Sequence, residues 1–80
     1  MKYRIAYAPA AEQALGKLAG PDAFRAAVAR TIGARPFGHG STQVDGDRDR
    51  REAVVSGAII RYVVSAGILT VTVVRLIPAP

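Results

Sequence analysis

The chain has 80 residues, half of them apolar, and carries eleven Lys or Arg against six Asp or Glu, a net charge of +5. That length predicts one small domain, 1–80, near the size where burial only just suffices, and the apolar share excludes a disordered tail. There is no cysteine, which excludes disulfides and cysteine metal sites, and no apolar run approaches the roughly 20 residues of a membrane-spanning helix.

A cytoplasmic location is the expectation. The opening Met1-Lys2-Tyr3-Arg4-Ile5 alternates like a strand and has no signal-peptide apolar stretch. For so small a domain, the basic excess favours a polyanionic or acidic partner, against the plainer reading that it keeps the protein soluble.

Lys2 to Tyr7 reads as a strand with Tyr3, Ile5 and Tyr7 turned inward. Pro9 suits the first turn of a helix, where its missing N–H costs nothing. Ala11, Ala14, Leu15 and Leu18 follow helical spacing, Gly20 ends that helix and Pro21 starts the next. Phe24, Ala27, Val28 and Ile32 form the second apolar stripe, and Gly33 with Pro36 stops it. A join of two or three residues predicts an antiparallel helical hairpin. Residues 35–49 form a polar, Gly-rich loop, long enough to be either functional or mobile, with Phe37 and Val44 pinning it to the core.

From Arg50 to Ile77 the pattern is three short strands joined by Ser56-Gly57 and Ala66-Gly67. A two-residue turn at Ser56-Gly57 pairs Val55 with Ala58, Glu52 with Arg61 and Ala53 with Ile60. A second at Ala66-Gly67 pairs Ser65 with Ile68, Arg61 with Thr72 and Ile60 with Val73. One face then carries Ala53, Val55, Ile60, Tyr62, Val64, Leu69, Val71 and Val73 and should lie under the helices. The other carries Arg50, Glu52, Val54, Ile59, Arg61, Val63, Thr70, Thr72 and Val74. The fold class is α+β in two layers: an N-terminal strand, a helical hairpin, then a three-stranded antiparallel meander. The first strand joins the sheet most simply beside the last.

This order of elements resembles the RelE/ParE superfamily, the toxins of type II toxin–antitoxin pairs. Tyr3-Arg4-Ile5-Ala6-Tyr7-Ala8-Pro9-Ala10-Ala11 resembles the family's opening strand running into Ser/Ala-Pro and a helix. Leu15-Gly16-Lys17-Leu18 resembles its Leu-x-Lys-Leu, and Ala34-Arg35-Pro36-Phe37-Gly38 its post-helix Pro-x-x-Gly loop. Gln43-Val44-Asp45-Gly46 stands in place of Lys-Leu-x-Gly. Ile60-Arg61-Tyr62-Val63-Val64 and Val71-Thr72-Val73-Val74-Arg75-Leu76 match the last two strands. The likeness covers nearly the whole chain.

The resemblance implies a toxin restrained by an antitoxin protein whose chain places acidic or apolar residues on the basic surface. RelE-like members cut messenger RNA in the ribosome without a metal, and ParE-like members poison DNA gyrase. No metal and no cofactor are expected. The chain departs from the ribonucleolytic pattern at three places. Ile59 stands where a key arginine is usual. Glu52 replaces the second of two basic residues, Arg50 matching the first. Leu76-Ile77-Pro78-Ala79-Pro80 ends the chain without a basic residue, His or Tyr. Arg75 matches an arginine common in the final strand.

Candidate catalytic residues are Arg50, Arg61 and Glu52. Arg61 would clamp a phosphate and Glu52 act as base, or the two form an ordinary cross-strand ion pair. Candidate RNA- or antitoxin-binding residues are Arg48, Arg51, Arg75 and His39. Asp45, Asp47, Asp49 and Glu52 interleave with the Arg48–Arg51 cluster, which otherwise reads as a solvated loop. His39, flanked by two glycines, is the one side chain that ordinarily titrates near neutrality. By parity Arg75 lies on the helix-covered face near its rim. Gly38-His39-Gly40-Ser41 is no phosphate-binding loop of the P-loop kind, since it lacks the following Lys and the strand-to-helix setting.

Overall fold

The computed structural model describes residues 2–78. The elements run β1 (Arg4–Tyr7), α1 (Pro9–Gly16), α2 (Pro21–Thr31), β2 (Thr42–Val44), β3 (Asp47–Val55), β4 (Ala58–Ser65), a 3-10 turn (Ala66–Ile68) and β5 (Thr70–Ile77). One five-stranded sheet has the order β1-β5-β4-β3-β2. β1 lies beside and parallel to β5, and the other pairs are antiparallel. The expected two-layer α+β architecture is the one observed.

Both helices begin on the prolines that the sequence offers for that role. They bury Ala11 and Leu15 from α1, and Phe24, Ala27 and Val28 from α2, onto the sheet. The far wall of the core is Ile60, Tyr62, Val71 and Val73, all fully buried. The aliphatic ones among them, Ile60, Val71 and Val73, each contribute about 1.5–3 kcal/mol of transfer free energy. The helix connection, 17–20, is four residues rather than two or three. Gly33 closes α2 against the sheet: its N–H donates to Val28 O at 3.0 Å and its carbonyl accepts from Tyr3 N at 2.8 Å. A Cβ there would stand 2.5 Å from Ala29 O, so only glycine fits.

The β3–β4 hairpin has the register read from the sequence, Glu52 opposite Arg61 and Val55 opposite Ala58. Ser56 and Gly57 both have positive φ, 49° and 81°, the geometry that a two-residue hairpin demands.

The β4–β5 connection differs from the expectation. Ala66–Ile68 form a 3-10 turn and Leu69, not Gly67, takes the left-handed conformation at φ 49°. Ser65 therefore pairs with Thr70 rather than Ile68. The physical reason lies in β1: Arg4 N donates to Leu69 O at 2.8 Å, so the wider turn also presents a carbonyl to the incoming first strand. A second irregularity follows. Tyr62 pairs with Val73 but Arg61 pairs with Arg75, leaving Val74 as an extra residue. Arg61 is thus opposite Arg75, not Thr72, and Ile60 is opposite Leu76, not Val73.

The bulge reverses the parity of the end of β5. Leu76 becomes core, and Arg75, expected on the helix-covered face, emerges on the open face. Two other placements are corrected. Leu69 sits in the turn, partly exposed, rather than in the core face. Thr70 is buried rather than open, its hydroxyl donating to Ile68 O at 3.0 Å.

The 35–49 segment is not one long loop. Thr42–Val44 form β2 and β3 begins at Asp47, with Asp45 and Gly46 at φ 56° and 73° making the turn. An Asp-Gly dipeptide is a strong hairpin signal, and here it outweighs the polar, glycine-rich composition that favoured a loop. The rest is anchored by Phe37 against the core and by the Tyr62 hydroxyl, which donates to Pro36 O at 2.6 Å. No helix among the described residues is long and apolar enough to cross a membrane. Ala79 and Pro80 lie outside the described residues.

Candidate anion-binding site

The face of the sheet away from the helices is ordered in rows by the cross-strand pairing. Glu52, Arg61 and Arg75 form one row across β3, β4 and β5. Arg61 Nε donates to Glu52 Oε1 at 2.8 Å. Arg75 has no carboxylate within 4.0 Å among the described residues. The neighbouring row on one side contains Arg50 opposite Val63. Arg50 lies 4.0 Å from Asp47, beyond hydrogen-bond reach.

Arg50, Arg61 and Arg75 together line an open cleft of about 520 Å³, bordered by Asp45, Val74 and Ala10. Strand alternation brings Arg50 and Arg61 there, and the Val74 bulge adds Arg75. Two guanidinium groups directly opposite on paired strands repel by about 0.2–1 kcal/mol, and an anion between them removes that cost. Each fork suits a phosphate or a carboxylate. The cleft can therefore bind an anion in more than one contact. Glu52 is the carboxylate in the Arg61 row, and its Oε1 is engaged by Arg61.

On the other side of the charged row lies an apolar one. Val54 pairs with Ile59 and Ile59 with Ile77, and their exposures are 60%, 38% and 44%. Ile59 thus presents an aliphatic surface where the resemblance implies a key arginine.

The remaining candidates do not join the cleft as open cations. Arg51 borders it but is buried. Its Nε donates to Ser41 Oγ at 2.8 Å, Nη1 to Arg48 O at 2.9 Å and Nη2 to Ser41 O at 3.2 Å, so it fastens the loop to β3. Arg48 is exposed, stacked 4.1 Å from the Phe37 ring centroid. His39 is separate: its Nε2 lies 3.2 Å from Val54 O, and it lines a different depression with Arg30 and Arg35. Asp45, in the β2–β3 turn, is a cleft residue outside the expected set; the Asp45-Gly46 hairpin signal is what places it there. Among the described residues no group of three His, Asp or Glu could hold a metal ion.

Burial pushes the Tyr62 phenol above its ordinary range, with Ser41 and Arg51 acting less strongly the other way. Tyr7 is raised as well, by burial first, against the opposing charge of Arg25.

No family model matches the chain, and no curated protein matches it. Among solved structures it is similar to a chain of the toxin–antitoxin complex RelBE2 from Mycobacterium tuberculosis. The two share a TM-score of 0.79 and 16% identity, over 98% of this chain and 99% of that one. At that identity the likeness is one of fold, and it is the fold that the sequence resemblance implied.

Proposed function

We propose that this chain is the toxin of a type II toxin–antitoxin pair of the RelE/ParE kind, acting in the cytoplasm and held in check by an acidic antitoxin segment. The observation that carries this reading is the convergence of Arg50, Arg61 and Arg75 on one open cleft. The setting supports it, since the fold is shared end to end with a chain of a toxin–antitoxin complex. Carboxylates of an antitoxin and phosphates of an RNA compete for the same forks, which gives a direct route to neutralisation.

As a ribosome-dependent endoribonuclease, the chain would hold the scissile phosphate between Arg61 and Arg75. The neighbouring 2′-oxygen would attack phosphorus, its proton passing to Glu52, while the bond to the 5′-oxygen breaks and that oxygen takes a proton from water, leaving a 2′,3′-cyclic phosphate. Glu52 would first have to release Arg61. A second reading, a module that binds without cutting, is favoured by Ile59. Its side chain lies in an apolar row beside the arginines, which suits a protein partner such as gyrase or the antitoxin alone.

Induced expression of the chain alone in a bacterial host, with growth curves and transcript 5′-end mapping, separates these. Arrest with new ends inside translated codons supports the ribonuclease. Arrest without them supports a protein target such as gyrase. Normal growth with a folded, soluble product removes the toxin reading.

A further inference from the structure

A second pair of arginines lies away from the cleft. Arg30, in the last turn of α2, and Arg35, just behind it, line a shallow depression of about 240 Å³ with Thr31, Ala34 and His39. Arg25, Arg48, Arg50 and Arg61 each have a carboxylate within 4.0 Å. Among the described residues Arg30 and Arg35 have none, and no carboxylate lines the depression.

Cations at a helix C-terminus commonly hold the last carbonyls. Here other donors have that role. Gly33 N and Arg35 N donate to Val28 O and Thr31 O, both at 3.0 Å, and the Thr31 hydroxyl donates to Ala27 O at 2.8 Å. Among the described residues neither Arg30 nor Arg35 donates a side-chain hydrogen bond to that helix end. The Arg35 backbone is held in the turn that follows α2, where Gly38 N donates to Arg35 O at 3.0 Å. His39 borders the site. With Nε2 on a carbonyl oxygen, its ring is docked against the edge of β3.

We propose that Arg30 and Arg35 form a second anion-binding site, bordered by His39, that takes the phosphodiester backbone of a nucleic acid. Two exposed forks over an open depression suit successive phosphates of a polymer better than one enclosed small anion. The site shares no lining residue with the cleft and stands on α2 and its following loop rather than on the sheet. It therefore adds an independent contact and does not rest on the toxin reading.

The test is fluorescence anisotropy with a labelled RNA duplex of about 20 base pairs, over a salt range of about 50 to 300 mM. Removing two phosphate contacts should flatten the slope of log affinity against log salt by about 1.8 in R30A/R35A. R30K/R35K, which keeps the charges, should retain the wild-type slope. The loss should add to that of R61A/R75A in the quadruple variant. A wild-type slope in a natively melting R30A/R35A overturns the proposal, as does a loss that fails to add, which would merge the two sites. A DNA duplex of the same sequence identifies the source: flattening with both polymers supports general backbone binding, and with RNA alone it supports an RNA site. Growth arrest on expression reports on the toxin reading and leaves this slope untouched.

Discussion

Arg75 stands directly opposite Arg61 across β4 and β5 because Val74 is bulged between two registers, and Glu52 holds Arg61 from the other side. One carboxylate thus serves a row with two guanidinium groups. Replacing Glu52 by Gln removes the only counter-charge in that row. The expected cost is about 0.5 kcal/mol, because the pair is partly exposed and screened. Polyanion affinity should rise at the same time. Urea melts and the salt dependence of RNA binding check both; weaker RNA binding by E52Q would instead point to Glu52 as a functional carboxylate.

Arg50 and Arg61 are exposed and contribute little to packing. On the proposed toxin reading, the R50A/R61A variant should relieve growth arrest while melting within about 1 kcal/mol of wild type. Persistent toxicity from a stably folded double variant would remove the cleft from the mechanism.

Arg51 behaves oppositely. Truncation to Ala leaves the Ser41 and Arg48 carbonyls without their donors and opens space under the loop. A loss of about 2–3 kcal/mol is expected by chemical denaturation. Lys should not rescue it, since a single ammonium cannot reproduce the three-way fork.

Gly33→Ala places a methyl group 2.5 Å from Ala29 O, and that neighbour is helix backbone, with no flexible side chain to give way. About 2 kcal/mol or more should be lost, with fraying of β1 because Tyr3 N donates to Gly33 O. Amide exchange at Tyr3 would show the local effect directly.

Tyr7 and Tyr62 are both raised above 10.0 by burial. Below the unfolded value near 10 this stabilisation is fully present. As pH climbs from there through the raised folded value, the unfolded chain loses its phenol protons first and stability falls. Melting temperature should therefore decline on the alkaline side of pH 10. Tyr62→Phe should be less stable at neutrality, having lost the bond to Pro36 O, and show a shallower alkaline decline.

Much of the fold is written locally in the chain. Alternation of Ala53, Val55, Ile60, Tyr62 and Val64 against Glu52, Val54, Ile59 and Arg61 requires a sheet with one covered face, and Ser56-Gly57 fixes the β3–β4 register within its own two residues. Pro9, Pro21 and Gly33 mark the helices by their own conformational limits. The same alternation puts Arg50, Glu52 and Arg61 on the open face with no help from the rest of the chain. Asp45-Gly46 carries the β2–β3 turn in the same local way, so that hairpin too is legible in the residues, against a composition that favours a loop.

The β4–β5 relation is not local. Gly67 favours a two-residue turn, yet Leu69 takes the left-handed conformation, and its carbonyl receives Arg4 N from the opposite end of the chain. The bulge at Val74 likewise answers to neighbours on both sides of β5: Tyr62 on β4, and Ala8 N bonded to Val73 O where β1 ends. A register shift of one residue costs nothing in local preference along Thr70–Ile77, where β-branched residues suit either face. Apolar periodicity therefore determined the sheet and its hidden side. Only packing among three strands decided that Arg75 would turn outward beside Arg61, because side-chain parity is set by long-range pairing and not by the chain's own pattern.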